Sequence, residues 1–72
     1  MDEPAHYEIR VAERFDDRLA AWFGGLAIVS DADFDGTVLR GEMLDQSALF
    51  GVLGKMRDLG LTLILVQRKT GD

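Results

Sequence analysis

Residues 31–42 are the part of the chain whose types and spacing match a ligand-binding signature. They read Asp-Ala-Asp-Phe-Asp-Gly-Thr-Val-Leu-Arg-Gly-Glu, which fits the twelve-residue calcium loop of an EF-hand. Ca²⁺ is a hard cation that takes roughly six to eight oxygen ligands. In a calcium loop these oxygens would come from Asp31, Asp33, Asp35, Thr37 and Glu42.

The sequence on either side of this loop does not favour an EF-hand. Such a loop needs one helix entering it and another leaving it. Gly24 and Gly25 precede it, and each glycine costs a helix about 1 kcal/mol relative to alanine. The β-branched pair Ile28 and Val29 favours a strand. After the loop, Asp45 is a typical N-cap, so the next helix begins too late.

A β-hairpin explains the same residues without a metal ion. The Asp35-Gly36 dipeptide is typical of a type I′ turn, in which both central residues have positive φ. This turn would pair Phe34 with Thr37 and place Asp31 opposite Arg40. Gly36→Val should then destabilise the protein, because a β-branched residue disfavours positive φ. One face of the hairpin is predicted to hold Leu26, Ile28, Ala32, Leu39 and Met43, and the other Ala27, Val29, Val38 and Glu42.

Length and composition predict a single small domain over residues 1–72. A chain of 72 residues buries only about 60% of its unfolded surface. It contains no cysteine, so neither a disulfide nor a thiolate metal site can stabilise it. Regular packing, oligomerisation or a bound ion remain as sources of stability.

The charge pattern bears on the class of partner. The net charge is −5, and the basic residues alternate with carboxylates, which disfavours nucleic-acid binding. The first residues show no basic and then apolar signal, and no apolar run approaches the length of a membrane span. A cytoplasmic protein without a membrane or nucleic-acid partner is therefore expected.

The hydrophobic periodicity predicts six elements in the order β-α-β-β-α-β. Strands are expected at residues 7–11, in the two arms of the hairpin and at residues 61–66, and helices at residues 16–23 and 45–60. Residues 1–5 and 69–72 are expected to be frayed ends. Trp22 and Phe23 are expected in the core, and the 45–60 helix would turn Gly51 and Gly54 away from it.

This order predicts an α+β domain of the ferredoxin-like class. Its four antiparallel strands would carry both helices on one face, and the first helix would be short. The opposite face would lie bare in a monomer.

Several motifs recur together in a group of small uncharacterised bacterial proteins that the chain resembles over nearly its whole length. The motifs are Tyr-Glu-Ile-x-Val at 7–11, Ala-Trp-Phe at 21–23, Asp-Gly-Thr-Val-Leu-x-Gly at 35–41, Asp-Gln-x-x-Leu at 45–49 and Arg-Asp-Leu-Gly-Leu at 57–61. In that group the Asp-Gly dipeptide forms a turn, generally without the preceding Asp-x-Asp. The resemblance therefore supports the hairpin, but it implies no activity and no site residues.

These observations predict a non-enzymatic interaction module that forms a homodimer through the bare sheet face. The chain has one histidine, His6, and no motif supplies it with a catalytic partner. The predicted interface residues are Val29, Val38, Ile64 and Val66, with Leu63 and Leu65 as the alternative pair if the last strand has the opposite register. No cofactor is expected. Two alternatives remain: a calcium-binding protein that uses residues 31–42, and a dimeric sensor that binds a small ligand between its sheets.

Overall fold

The structure is a computed structural model, and it describes residues 4–69. It contains four strands, β1 (Ala5–Val11), β2 (Leu26–Val29), β3 (Thr37–Met43) and β4 (Leu63–Lys69). Helix α1 (Asp17–Ala20) continues into a short 3₁₀-helix (Ala21–Phe23), and α2 (Gln46–Asp58) connects β3 to β4. Within residues 4–69, no helix is long and apolar enough to cross a membrane.

The four strands form one antiparallel sheet in the order β2-β3-β1-β4. Strands β1 and β3 are central, and β2 and β4 are the edges. Ile9 in β1 pairs with Leu39 in β3 on one side and with Val66 in β4 on the other. The β1–β4 register shifts between Arg10 and Val11. The predicted α+β class is confirmed.

Successive side chains of β1 point to opposite faces of the sheet, and the core lies on one of these faces. Ile9 and Val11 are fully buried in this core, and Leu39 packs beside them. Both helices contribute to the same cluster, through Ala20 from α1 and Val52 from α2. The remaining members are Phe23, Leu26, Met43, Leu49 and Met56.

The ends of both helices are those that the sequence predicts. Asp16 caps α1 by accepting hydrogen bonds from the backbone N–H groups of Arg18 and Leu19. Gly24 ends the 3₁₀-helix with a φ of 68°. Asp45 caps α2 by accepting from the N–H of Ala48 at 2.8 Å.

Three predictions about local structure need correction. Phe23 is fully buried, whereas Trp22 is 63% exposed and lies outside the core. Strand β1 already begins at Ala5, and β4 extends through Lys69, so neither residue belongs to a frayed end. The predicted fraying of residues 1–3 and 70–72 lies outside the described residues.

The hairpin between β2 and β3 forms, but its register differs from the prediction by four residues. Ala27, not Asp31, lies opposite Arg40, and Val29 pairs with Val38. Residues 30–36 therefore form a seven-residue loop instead of a two-residue turn. The side chains still point to the predicted faces, because a shift by an even number of residues preserves the alternation of a strand. Ala32 is the exception, since it lies in the loop.

Two glycines bring β2 and β3 unusually close at one end of the hairpin. A Cβ atom on Gly41 would collide with the backbone carbonyl of Gly25 and lie 3.0 Å from the Cα of Leu26. A Cβ atom on Gly25 would lie 3.1 Å from the backbone carbonyl of Glu42. Backbone atoms cannot move aside far without disturbing the strand pairing, so position 41 requires glycine, whereas a side chain at position 25 would force a shift of a few tenths of an ångström.

We predict that Gly41→Ala destabilises the protein by at least about 2 kcal/mol, because the added methyl group overlaps backbone atoms. Gly51→Ala in α2 is the matched control, since a Cβ atom there meets no atom within 4 Å. That substitution should stabilise the protein by about 0.5–1 kcal/mol through helix propensity. Urea unfolding at one protein concentration measures both. Equal effects of the two substitutions would contradict the close approach.

Candidate functional site

The structure does not bring the five predicted calcium ligands together. Asp31, Asp33 and Asp35 lie in the 30–36 loop, whereas Thr37 begins β3 and Glu42 lies near its far end, opposite His6. The loop connects two strands, as the hairpin interpretation predicts. Among residues 4–69, no group of three or more acidic, histidine or cysteine side chains is arranged to hold a metal ion.

Two of the three loop aspartates, Asp31 and Asp35, bind other parts of the chain. One oxygen of Asp31 accepts a hydrogen bond from the N–H of Asp33 at 3.0 Å, and the other lies 3.1 Å from Nη2 of Arg10. Asp35 pairs with Arg14 at 3.0 Å on the exposed surface. These contacts set the shape of the loop from within the chain.

Thr37 is buried and also engaged. Its hydroxyl donates to the backbone carbonyl of Glu13 at 2.7 Å and accepts from the N–H of Phe15 at 3.3 Å. It therefore anchors the segment between β1 and α1 to the start of β3.

Arg10 connects the loop to the helix-free face of the sheet. Its Nε donates to Glu8 at 2.7 Å, while Nη2 reaches Asp31. The centre of its guanidinium lies 4.9 Å from the centroid of the Phe34 ring, a cation–π distance. One side chain of β1 thus holds both a strand carboxylate and two residues of the loop.

Glu8 is the central acceptor of this charged cluster, and it is only 2% exposed. Arg40 in β3 donates to its Oε1 at 2.8 Å, and Lys69 in β4 lies 3.5 Å from the same oxygen. The hydrogen bond from Arg10, assisted by that from Arg40, outweighs desolvation and lowers the pKa of Glu8 from 4.5 to about 2. The same hydrogen bond raises the pKa of Arg10.

This cluster is absent from the sequence predictions, although a signal for it exists. Glu8 and Arg10 are two residues apart in a strand, so they share a face. The alternation of these charged residues with Ile9 is typical of a half-buried strand. A charged pair on a central strand needs partners from the neighbouring strands. The partners Arg40 and Lys69 become visible only once the strand order is known.

The helix-free face is correspondingly more polar than predicted. Glu8, Arg10 and Arg40 occupy its centre, with Lys69 at one edge. Val38 lies on this face as predicted but is only 3% exposed, so it is already covered within the chain. The side chains along this face are, strand by strand, Ala27 and Val29; Val38, Arg40 and Glu42; His6, Glu8 and Arg10; and Leu65, Gln67 and Lys69.

The four predicted interface residues do not share one face. Val29 and Val38 lie on the helix-free face, whereas Val66 lies opposite Ile9 and therefore on the helix-bearing face. Leu65 pairs with Arg10 and is the β4 residue that shares the face of Val29. Ile64 is the residue that the register shift leaves without a partner in β1.

Strand β4 nevertheless exposes the most apolar surface of the sheet. Leu63, Ile64 and Val66 are 47%, 54% and 36% exposed. Leu59, between α2 and β4, is also exposed. We call residues 59–66 the β4 apolar segment, because it contains no charged side chain and no proline.

One cleft of the described residues lies beside the 30–36 loop. It encloses about 430 Å³ and is bordered by Phe15, Phe34 and Val29, with Arg14 and Ser30 at its polar side. A smaller groove of about 270 Å³ separates the 3₁₀-helix from α2 and contains Gly51 and Lys55. No buried side-chain polar atom of residues 4–69 lacks a hydrogen-bond partner.

We predict that Gly36 is required for space and not for positive φ. Its φ is not positive, but a Cβ atom there would collide with the carbonyl of Val11 and lie 2.7 Å from the Phe34 ring. Gly36→Asn should therefore destabilise the protein by about 1–3 kcal/mol, although asparagine is well tolerated in a type I′ turn. Asp33→Ala is the control and should be near neutral, because its contact with Asp31 uses a backbone N–H. Chemical unfolding of both variants measures the change in unfolding free energy. If Gly36→Asn leaves this free energy unchanged, the packing explanation is wrong.

We predict that Glu8→Gln costs about 2–4 kcal/mol of unfolding free energy at pH 7, because it removes the buried charge that Arg10 and Arg40 share. Since the folded pKa of Glu8 lies below its ordinary value of 4.5, its contribution is complete above about pH 4.5. The contribution is lost as the pH falls towards 2. Glu42→Gln is the exposed control on the same face and should change stability little.

The measurement is the difference in unfolding free energy between wild type and each variant across this pH range. The Glu8→Gln difference should shrink on acidification, and the Glu42→Gln difference should stay near zero. A Glu8→Gln difference that is independent of pH would contradict the assigned ionisation.

Comparison with known proteins identifies the family but no activity. The chain matches a family described as a domain of unknown function, DUF8691, over residues 6–67. Searches of curated proteins and of solved structures return no match. The matched stretch runs from the second residue of β1 to two residues before the end of β4, and so contains all or most of every element described above. The chain therefore belongs to the DUF8691 family.

Proposed function

We propose that this protein is a non-enzymatic interaction module that self-associates as a homodimer in the cytoplasm. The observation that carries the proposal is the exposure of Leu63, Ile64 and Val66 on an edge strand. Contiguous exposed apolar side chains on a soluble domain usually mark an interface. A twofold contact would cover the same segment on both copies at once.

We also infer that the fold is ferredoxin-like. Strands β1 and β2 are both antiparallel to β3, which lies between them, so they run parallel to each other and are joined through α1. Strands β3 and β4 stand in the same relation on either side of β1 and are joined through α2. Two such split βαβ units support the assignment.

The structure favours a different contact surface from the one that the sequence suggests. Packing two helix-free faces together would bury Arg40 and Lys69, which lie half-exposed around Glu8. Desolvating charged groups is costly unless each gains a new partner. The β4 apolar segment carries no charge, so its burial has no such cost. We therefore assign the interface to this segment.

Catalysis is not part of the proposal. Among residues 4–69, the two carboxylates with lowered pKa are both held by hydrogen bonds within the chain, Glu8 by arginines and Glu13 by the backbone and hydroxyl of Thr62. His6 is exposed on β1, beside Glu42 and Lys69 in the strand register. The hydrogen bonds of Glu8 and Glu13 hold parts of the fold together, and His6 belongs to a charged surface.

Sedimentation equilibrium between about 1 and 100 μM tests the proposal, with and without EDTA. We expect a monomer–dimer equilibrium within this range and no effect of the chelator. Ile64→Asp should give a folded monomer, because it places a charge in the proposed interface. Trp22→Ser is the matched control: Trp22 is also an exposed large apolar residue, but the 3₁₀-helix that carries it contacts β2, at the opposite edge of the sheet.

Three outcomes would contradict parts of this proposal. A wild-type protein that remains monomeric at about 100 μM would end the dimer hypothesis. Dissociation by EDTA would instead favour the calcium-binding alternative through residues 31–42. A dimer that Ile64→Asp leaves intact while circular dichroism shows a native fold would exclude the β4 apolar segment as the interface.

A further inference from the structure

The two edges of the sheet differ in their availability for pairing. Strand β2 has only four residues, and the loop that follows it is tied to β1 through Arg10 and Asp31. Strand β4 has seven residues and pairs only with β1 among the strands of residues 4–69. The outward N–H and C=O groups of such a strand form a template for another strand.

Strand β4 also lacks most of the features by which natural proteins prevent an edge strand from pairing with another chain. Natural edges are blunted by proline, by inward-pointing charges, by β-bulges or by lysine along the strand. Of these, β4 has the register shift at Ile64 and one lysine at its end. The first four residues of β4 are Leu-Ile-Leu-Val, and its two charged residues, Arg68 and Lys69, both lie at its end. The uncharged part of the edge is therefore long enough to form a ladder with a second copy.

We propose that two copies of the chain pair their β4 strands antiparallel about a twofold axis near Leu65, forming one continuous sheet of eight strands. This inference rests on the proposed self-association and specifies its geometry. With the axis at Leu65, Ile64 of each copy lies opposite Val66 of the other copy, which gives two equivalent pairs. Two exposed apolar side chains of β4 then face each other on either side of the axis.

Charge decides between antiparallel and parallel pairing. In a parallel pair, Arg68 and Lys69 of the two copies would lie side by side, and like charges opposite each other are destabilising. In the antiparallel pair, Arg68 lies opposite the partner's Thr62. There the carboxylate of Glu13 accepts hydrogen bonds at 2.7 Å from both the backbone N–H and the hydroxyl of Thr62.

Those two hydrogen bonds also favour the charged form of Glu13. They lower its pKa, with the backbone N–H of Thr62 as the larger contribution. The antiparallel arrangement thus brings an arginine of each copy to a fixed carboxylate of the other, at both ends of the shared ladder.

Disulfide trapping tests this geometry directly, because the natural chain has no cysteine. Residues directly opposite in an antiparallel pair have Cα atoms about 4.5–5.5 Å apart, which suits a disulfide. Leu65→Cys should therefore form a covalent dimer on mild oxidation. Lys69→Cys is the control: two residues 69 would lie roughly 26 Å apart in this arrangement, at about 3.3 Å per residue.

We expect at least a tenfold excess of covalent dimer for Leu65→Cys over Lys69→Cys at equal concentration. Efficient cross-linking of both variants would indicate parallel pairing and overturn the inference. If Leu65→Cys sediments as a dimer but forms no disulfide, the proposed pairing of the β4 strands is wrong, while the proposed self-association remains intact. If both variants and wild type sediment as monomers, both proposals fail.

Wild-type protein supplies a second test that needs no substitution. In a dimer of one isotope-labelled and one unlabelled copy, NMR contacts should connect Ile64 of one chain to Val66 of the other. A dimer in which intermolecular contacts join other elements and none involves β4 would overturn the inference.

Discussion

The buried carboxylate of Glu8 is the interaction on which the arrangement of the sheet depends. It lies on the central strand β1 and accepts from Arg10 on its own strand and Arg40 on β3, with Lys69 on β4 close by. A carboxylate that is 2% exposed is stable only with such partners. Through Arg10 the same cluster extends to Asp31 and thereby holds the 30–36 loop against β1.

The opposite face of β1 is stabilised by a different kind of interaction. Ile9 and Val11 are fully buried under residues of both helices, so apolar packing holds that side of the sheet. A single strand thus carries an apolar core on one face and an ionic network on the other. Because β1 lies between β3 and β4, a change of its register would disrupt both faces at once. This explains why so short a chain can specify one strand pairing.

The sequence predicts elements and faces better than it predicts pairings. The caps at Asp16 and Asp45 act locally, so their residue types are enough to place the starts of both helices. The Asp35-Gly36 dipeptide suggests a tight turn because its local preference is strong, but tertiary contacts override that preference. Thr37 and Asp31 are held by Glu13 and Arg10, residues far away in the sequence, and these contacts open the turn into a seven-residue loop.

The exposure of β4 is likewise a property of the assembled sheet. An almost wholly apolar run normally indicates a strand that is covered on both faces. Here the run belongs to an edge strand whose apolar side chains remain partly exposed on both faces, since the core cluster is centred on β1 and β3. The helices of residues 4–69 leave the side chains of β4 partly exposed. In the proposed dimer, a second copy covers the apolar surface that the helices of one copy leave exposed.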